Sequence, residues 1–339
     1  MLELIEKLCN LCGPSGNEDA VREFILNEIK DYCDAYTDQN GNIIAFKKGK
    51  KFPHKKVMVD AHMDEVGVLV TSVTESGMLR FNAVGGILTE SLLGATVRFE
   101  NTIGVIGIKP VHLCEKDEKK ALPKAESLLI DIGAKNKEDA LKYISVGDIG
   151  AFKENFTVLS ESRFISKAID DRIGCALLIT LLKEEAEYDF YGTFTVGEEL
   201  GLRGAKTAAF TLSPDYAIVL EATTAADIHS TPEEQRVCEL SGGAVISFMD
   251  NSTLYNKKLI DKAFEISKQI GAKAQTKTKV AGGNNSGAIH LSKEGVKTIT
   301  ISLPCRYIHS PASVADISDA KDMLSISKEL IKVFALGEA

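Results

Sequence analysis

The stretch Lys56–Val70, KVMVDAHMDEVGVLV, opens as a valine-rich buried strand and then sets His62, Asp64 and Glu65 in its path before the apolar run resumes. A strand buried on both faces gains nothing from an imidazole and two carboxylates. The strand KVMVDA therefore ends at His62, and beyond it the texture of the sequence changes. From about Val66 to Arg163, short strands such as GVLVTSV, MLRFNAV, ATVRFE and IGVIGI are separated by ESG, GG and ENT, and only KNKEDALKYI reads as helical. That rhythm predicts a small β-barrel or sandwich inserted into another domain.

On either side of the insertion, helices and strands alternate, which predicts an α/β class. Residues 2–12 read as a helix, and a second begins at Asn17 as cap, with Val21, Phe24, Ile25 and Ile29 at helical spacing. Asn40-Gly41 marks a hairpin. After the insertion come a helix over Arg172–Glu187, strands YGTFTV and YAIVLEA, a helix near Lys257–Ile270, the strand KTITISL and a closing helix over Ile317–Phe334. The expected division is an α/β domain of residues 1–66 and 164–339, with residues 67–163 as the inserted module.

Composition narrows the partners. The 339 residues are 44% hydrophobic and 26% charged with a formal net charge of −8, a balance that disfavours nucleic acid and anionic membranes. The basic run KKGKKFPHKK reads as a solvated loop. No apolar run approaches the roughly 18 residues of a membrane span and the start lacks a signal-peptide pattern, so a cytoplasmic protein is expected. Seven dispersed cysteines, an odd number, do not make a disulfide framework. Cys9 and Cys12 have C-x-x-C spacing without a second pair and lie on an amphipathic segment, which favours packing over redox or zinc chemistry.

In the α/β part, acidic and imidazole groups recur just past the ends of expected strands. His62 follows VMVDA, Glu198 and Glu199 follow YGTFTVG, Glu221 ends YAIVL, His309 follows TITISLPCRYI, and Asp170 with Asp171 stands at a strand-to-helix junction. Ligands of open α/β sheets bind outside the carboxyl ends of the strands, so these groups can converge. Two imidazoles and three carboxylates without thiolates suit Zn²⁺, Co²⁺ or Mn²⁺, and one carboxylate can bridge two ions. In the Glu198-Glu199 pair, neighbouring side chains diverge, so one can bind metal while the other moves a proton. The His-x-Asp spacing of His62 and Asp64 fits a ligand oriented by a carboxylate behind it.

Five blocks in order, AHMDEVG, SKAIDDRIGC, GTFTVGEELGLRGA, VLEATTAAD and PCRYIHSP, resemble the tetrahedral aminopeptidases, a family of co-catalytic metallopeptidases that includes glutamyl and leucyl aminopeptidases. CGPSGNE, TDQNGNIIA and MLRFNAVGG extend the likeness over nearly the whole chain. The resemblance implies a mixed sheet between helices, an inserted β-barrel that serves dimerisation, and a homo-oligomer built from dimers, up to a hollow tetrahedral dodecamer. It implies two divalent ions per subunit bridged by Asp170, with His62 and Glu221 completing one site and Glu199 and His309 the other. Glu198 is then the general base towards a metal-bridged water, Asp64 orients His62, and the peptide between Asp170 and Asp171 is cis. Peptides are the implied substrates. Two departures stand out: Glu221 replaces the more usual Asp, and GGNNSGAIH puts Asn284 and Asn285 where Gly-Gly-Thr-Asp is usual.

With these roles, the five carboxylates, two divalent ions and a hydroxide leave about −2 at the site, which favours a free α-ammonium unless Arg306 reverses the field. His54, His112, His229 and His290 fall outside the ligand positions, and the glycines of AVGGI and VAGGNN read as turns. Three rival readings use the same residues. A glycosidase needs carboxylates facing each other about 5 to 9.5 Å apart across a substrate, which adjacent residues do not provide. A related deacylase or carboxypeptidase would use the same metals, and a non-catalytic metal-binding protein would not need every catalytic group.

Overall fold

The structure, a computed structural model, describes residues 1–117 and 120–338. The chain begins with helices Leu2–Asn10 and Asp19–Ile29, then forms strands β1 (Asp34–Thr37), β2 (Ile43–Lys47) and β3 (Val57–His62). Next come β4 (Gly67–Val73), β5 (Leu79–Val84), β6 (Thr96–Arg98), β7 (Ile103–Gly107), β8 (Leu129–Asp131) and β9 (Ile149–Phe152). These six close into an antiparallel barrel in the order β4-β5-β8-β7-β6-β9. Val68, Val70, Leu79, Phe81, Ile106 and Ile130 fill it, and they form a cluster separate from the main core.

Strands β10 (Thr157–Val158) and β11 (Arg163–Ser166) lead back from the barrel, and helix Ile169–Lys183 follows. The remaining strands are β12 (Phe190–Thr195), β13 (Tyr216–Thr224), β14 (Ala244–Ile246), β15 (Ala274–Thr276), β16 (Lys297–Cys305) and β17 (Ser313–Asp316). Eight strands form one mixed sheet in the order β1-β2-β12-β3-β13-β16-β14-β15, while β10, β11 and β17 make a small second sheet. The fold is therefore the expected mixed α/β sheet between helices with an inserted barrel.

β3 is buried along its whole length, as a strand covered by helices on both faces must be. Helix Lys257–Ile270 starts on Asn256, whose side chain accepts from the Lys258 N–H, and stops at Gly271 with φ +71°. Asp316 and Gly337 punctuate helix Ile317–Leu336 in the same way.

Some expectations need correction. Asn17 is not a cap, because its N–H closes a turn onto Pro14 O, and Glu18 precedes the helix instead. KNKEDALKYI yields a single helical turn, Lys137–Ala140. Helix Arg203–Leu212 was not foreseen, because the face it buries, Ala205, Ala208, Ala209 and Leu212, is built mostly of alanines that give a weak apolar signal. Cys9 is packed in the first helix, where burial pushes its thiol up to about 11, so a thiolate is disfavoured as expected.

Candidate metal centre

Topology brings the predicted residues together. Strands β12, β3, β13 and β16 run parallel, so their carboxyl ends open on one edge of the sheet. His62 is the last residue of β3 and pairs with Thr195, the last of β12, after which the chain turns through Glu198 and Glu199. Glu221 lies inside β13 rather than at its end, since that strand runs on to Thr224. His309 arrives on the loop after β16 with φ +58°. Asp170 sits where the backbone is not yet helical, at a cis peptide with Asp171.

The two oxygens of Asp170 face different imidazoles. Its Oδ1 is 3.1 Å from His62 Nε2 and its Oδ2 is 3.1 Å from His309 Nε2. Glu221 Oε1 stands 3.5 Å from His62 Nε2, and Glu199 Oε1 stands 3.1 Å from His309 Nε2. Both rings are held from behind, because His62 Nδ1 lies 3.0 Å from Asp64 O and His309 Nδ1 lies 2.9 Å from Gly86 O. Donation of Nδ1–H to those carbonyls leaves both Nε2 lone pairs aimed at the site.

Asp171, which the sequence could not separate from Asp170, also has a carboxylate near His62 and Glu221. Its oxygens, however, accept the Gly174 and His62 backbone N–H groups at 2.9 and 3.2 Å. The Asp64 carboxylate is 3.4 Å from His62 Nδ1, further than the Asp64 carbonyl. It accepts instead from Ser15 Oγ at 2.6 Å and from the Glu198 and Glu199 N–H groups at 3.0 and 3.1 Å. Asp64 thus fixes the glutamate turn as well as the imidazole.

Electrostatics and donor chemistry fit divalent cations. Burial would lower both imidazoles, but Glu221 and Asp170 hold His62 well above its ordinary value, and Asp170 and Glu199 push His309 up to about 11. Burial, reinforced by Glu199 and Asp170, pushes Glu198 up to about 8. Burial and the Asp170 charge likewise raise Glu199 and Glu221. The site thus holds more buried carboxylate than its own cations can balance. Glu199 Oε1 is buried with only the His309 imidazole, itself shared with Asp170, beside it, so it is short of hydrogen bonds for a buried carboxylate oxygen. The donors are all nitrogen and oxygen, with no thiolate.

A cavity of about 260 Å³ opens onto Asp170, Glu198, Glu221 and His309 and is walled further by the segment Lys277–Asn284. Arg306 does not reverse the field, because Asp227 Oδ1 and Oδ2 each take one of its nitrogens at 2.7 Å. His290 Nδ1 is engaged by Ser286 O at 2.7 Å, consistent with its exclusion from the ligands. Sequence reasoning missed Gly85 and Gly86, read only as a turn. A Cβ on Gly85 would stand 3.2 Å from Glu199 Cβ, and its φ is +84°, so the chain touches the site there through a residue that must lack a side chain. The quoted MLRFNAVGG block was the available signal.

Comparison with known proteins identifies the family. The description M42 glutamyl aminopeptidase matches residues 41–326. A lysyl aminopeptidase of Pyrococcus furiosus is 34% identical over 341 residues, covering 97% of this chain and 96% of that protein. An aminopeptidase from the archaeon Desulfurococcus kamchatkensis superposes with a TM-score of 0.92 at 35% identity, covering 97% of this chain and 94% of that one. The TET1 peptidase of Pyrococcus horikoshii, described as assembling into a tetrahedron or a large octahedral shell, gives 0.85 at 33% identity over 98% of each chain. This chain, whose imidazoles and carboxylates meet at one edge of a mixed sheet, belongs to the M42 glutamyl aminopeptidase family of metal-dependent peptide-bond hydrolases.

Proposed function

We propose that the protein is an aminopeptidase whose centre holds two divalent ions, Zn²⁺, Co²⁺ or Mn²⁺, bridged by Asp170. His62 and Glu221 would complete one site, and Glu199 and His309 the other. The observation that carries this reading is the division of the Asp170 oxygens between two imidazoles, each flanked by a second carboxylate. Bound there, the ions would acidify an attacking water and polarise the scissile carbonyl.

The chain's own residues supply the rest. Glu198 stands in the turn fixed by Asp64 and lines the cavity. From there it takes the proton of the attacking water and passes it to the departing amine. The net negative site holds the substrate's free α-ammonium, and Arg306, neutralised by Asp227, does not oppose it. Seven free thiols suit a reducing compartment, so the cytoplasm is the proposed location. The inserted module, residues 67–163, is proposed as the dimerisation unit of a homo-oligomer, a tetrahedral dodecamer in its fullest form.

Metal analysis by mass spectrometry tests the centre. The purified protein should carry about two divalent ions per subunit, and Asp170→Asn should lose both, because a bridge serves both sites. Retention of both ions by Asp170→Asn would refute the bridge. Hydrolysis of amino-acid anilides with added Co²⁺, abolished by acetylation of the α-amine, tests the reaction. Cleavage of the acetylated anilide would instead identify a deacylase or endopeptidase.

A further inference from the structure

His309 reaches the proposed centre on a strained backbone. Both it and Tyr307 are non-glycine residues in the left-handed region, each with φ +58°. Residues with a Cβ keep that conformation only where the surroundings impose it. The loop is closed by Arg306 and Val314, whose backbones pair in antiparallel fashion, and inside it Ser310 and Ser313 both donate to Tyr307 O. These bonds hold the loop to itself, and none of them sets its distance from Asp170.

A half-buried amide that no step above uses does set it. Asn155 lies between β9 and β10. Its Nδ2 donates to Pro311 O at 2.7 Å, and its Oδ1 accepts the Lys167 N–H at 2.8 Å. Pro311 O can only accept and the Lys167 N–H can only donate, so the partners fix which way the amide points. Pro311 stands two residues after His309, and Lys167 three residues before Asp170. One side chain thus spans the two segments whose ligands meet, with His309 Nε2 3.1 Å from Asp170 Oδ2.

The support is itself anchored. The Lys167 ammonium, buried, donates to Leu11 O and to Glu65 Oε1 at 2.7 Å each. On either side of Asn155, the Glu154 carboxylate takes Arg98 Nε at 2.7 Å, and the Phe156 ring stacks on Phe164 with centroids 5.5 Å apart. A side chain whose neighbours are fixed in this way can hold a ligand loop in one place.

Resting on the di-metal reading, we infer that Asn155 is a positioning residue for His309, its amide holding the loop at the separation from Asp170 at which one cation fits between the two side chains. It acts through the loop and not on the reacting atoms. Without the amide the loop relaxes from its left-handed conformations and the imidazole withdraws from one ion. The other ion, assigned to His62 and Glu221, has no ligand on this loop.

Metal content measured by mass spectrometry after dialysis against graded free Co²⁺ tests this role. The wild type should bind two ions. In Asn155→Ala, half-occupancy of one ion should move to roughly 10-fold or more higher free Co²⁺, as loss of an outer partner of a metal ligand typically does, while the other ion stays within about twofold of wild type. Asn155→Asp keeps the size and the acceptor for Lys167 but loses the donor to Pro311, and it should weaken the same ion. Its added negative charge alone would favour cation binding, so a weakening there comes from the lost loop bond. Hydrolysis of an amino-acid anilide should fall in both variants at limiting Co²⁺ and recover in excess. Unchanged half-occupancy in both variants, even with a lowered Tm, would make Asn155 a structural tie alone and overturn the inference. Equal weakening of both ions, or activity that excess Co²⁺ does not restore, would overturn it as well. A wild type that binds fewer than two ions would overturn the di-metal reading itself.

Discussion

Glu198 and Glu199 share one turn, yet the fold gives them different surroundings. The Glu199 side chain is nearly sealed, with Oε1 against His309, whereas Glu198 lines the cavity. Replacing Glu198 with Gln keeps size and removes basicity, so kcat should fall by roughly 10² to 10⁴ with metal content unchanged. Glu199→Gln should instead lower metal occupancy, with partial recovery of activity in excess Co²⁺. Metal analysis of the two variants checks the assignment, and an ion lost from Glu198→Gln but kept in Glu199→Gln would reverse it. At this scale the sequence was legible wherever a polar group interrupts a buried strand, as at His62. It was silent where backbone geometry decides, because Asp170 is told from Asp171 by which imidazoles and N–H groups the turn sets against each carboxylate.

Between residue and fold lies the scaffolding of the glutamate turn. Three successive N–H groups, of Gly197, Glu198 and Glu199, are taken by the buried carboxylates of Glu18 and Asp64. Ser15 completes this support by donating to Asp64. Ser15→Ala removes one hydrogen bond to a charged group, worth about 1.5 to 3 kcal/mol. If that energy holds the catalytic turn, kcat should fall about tenfold with KM nearly unchanged. A lower Tm with unaltered kcat would assign Ser15 to stability alone. A second cluster fixes the exit from β3 into the barrel. Glu65 accepts two bonds from Lys167 Nζ at 2.7 Å and one from Arg172 Nη2 at 3.1 Å, all essentially buried. Lys167→Met leaves Glu65 with half of its compensation and should destabilise the fold by about 3 to 5 kcal/mol, measurable by urea unfolding. A cost under about 1 kcal/mol would mean that Arg172 alone suffices. The long strands and the final helix were legible because apolar period and caps agree there. The alanine-faced helix Arg203–Leu212 was not, because small side chains pack well without standing out in sequence.

For the whole molecule, the barrel has two neighbours to satisfy. Inward, Gly86 O stands 2.9 Å from His309 Nδ1 and Gly85 packs on Glu199, so deleting the module would disturb the candidate metal centre as well as any contact it makes outward. Outward, β7 alternates cleanly, with Ile106 buried, while Ile103 and Val105 are open to solvent. The chain just beyond adds further exposed apolar side chains, Ile108, Val111 and Leu113, of which Val111 is 71% exposed. Five exposed large apolar side chains within eleven residues of a small module suit a contact surface better than a solvated one. This gives the proposed dimerisation role a specific address and a test that spares the catalytic residues. Val105→Asp combined with Val111→Asp should leave the fold intact by circular dichroism and the metal content unchanged. The mass measured by light scattering should fall, because a carboxylate buried without a partner at a contact is strongly unfavourable. Each closed symmetric contact repeats the change on both partners, which doubles its effect and makes partial loss of assembly improbable. Particles of unchanged mass would move the contact off this face and leave the barrel with its inward task alone.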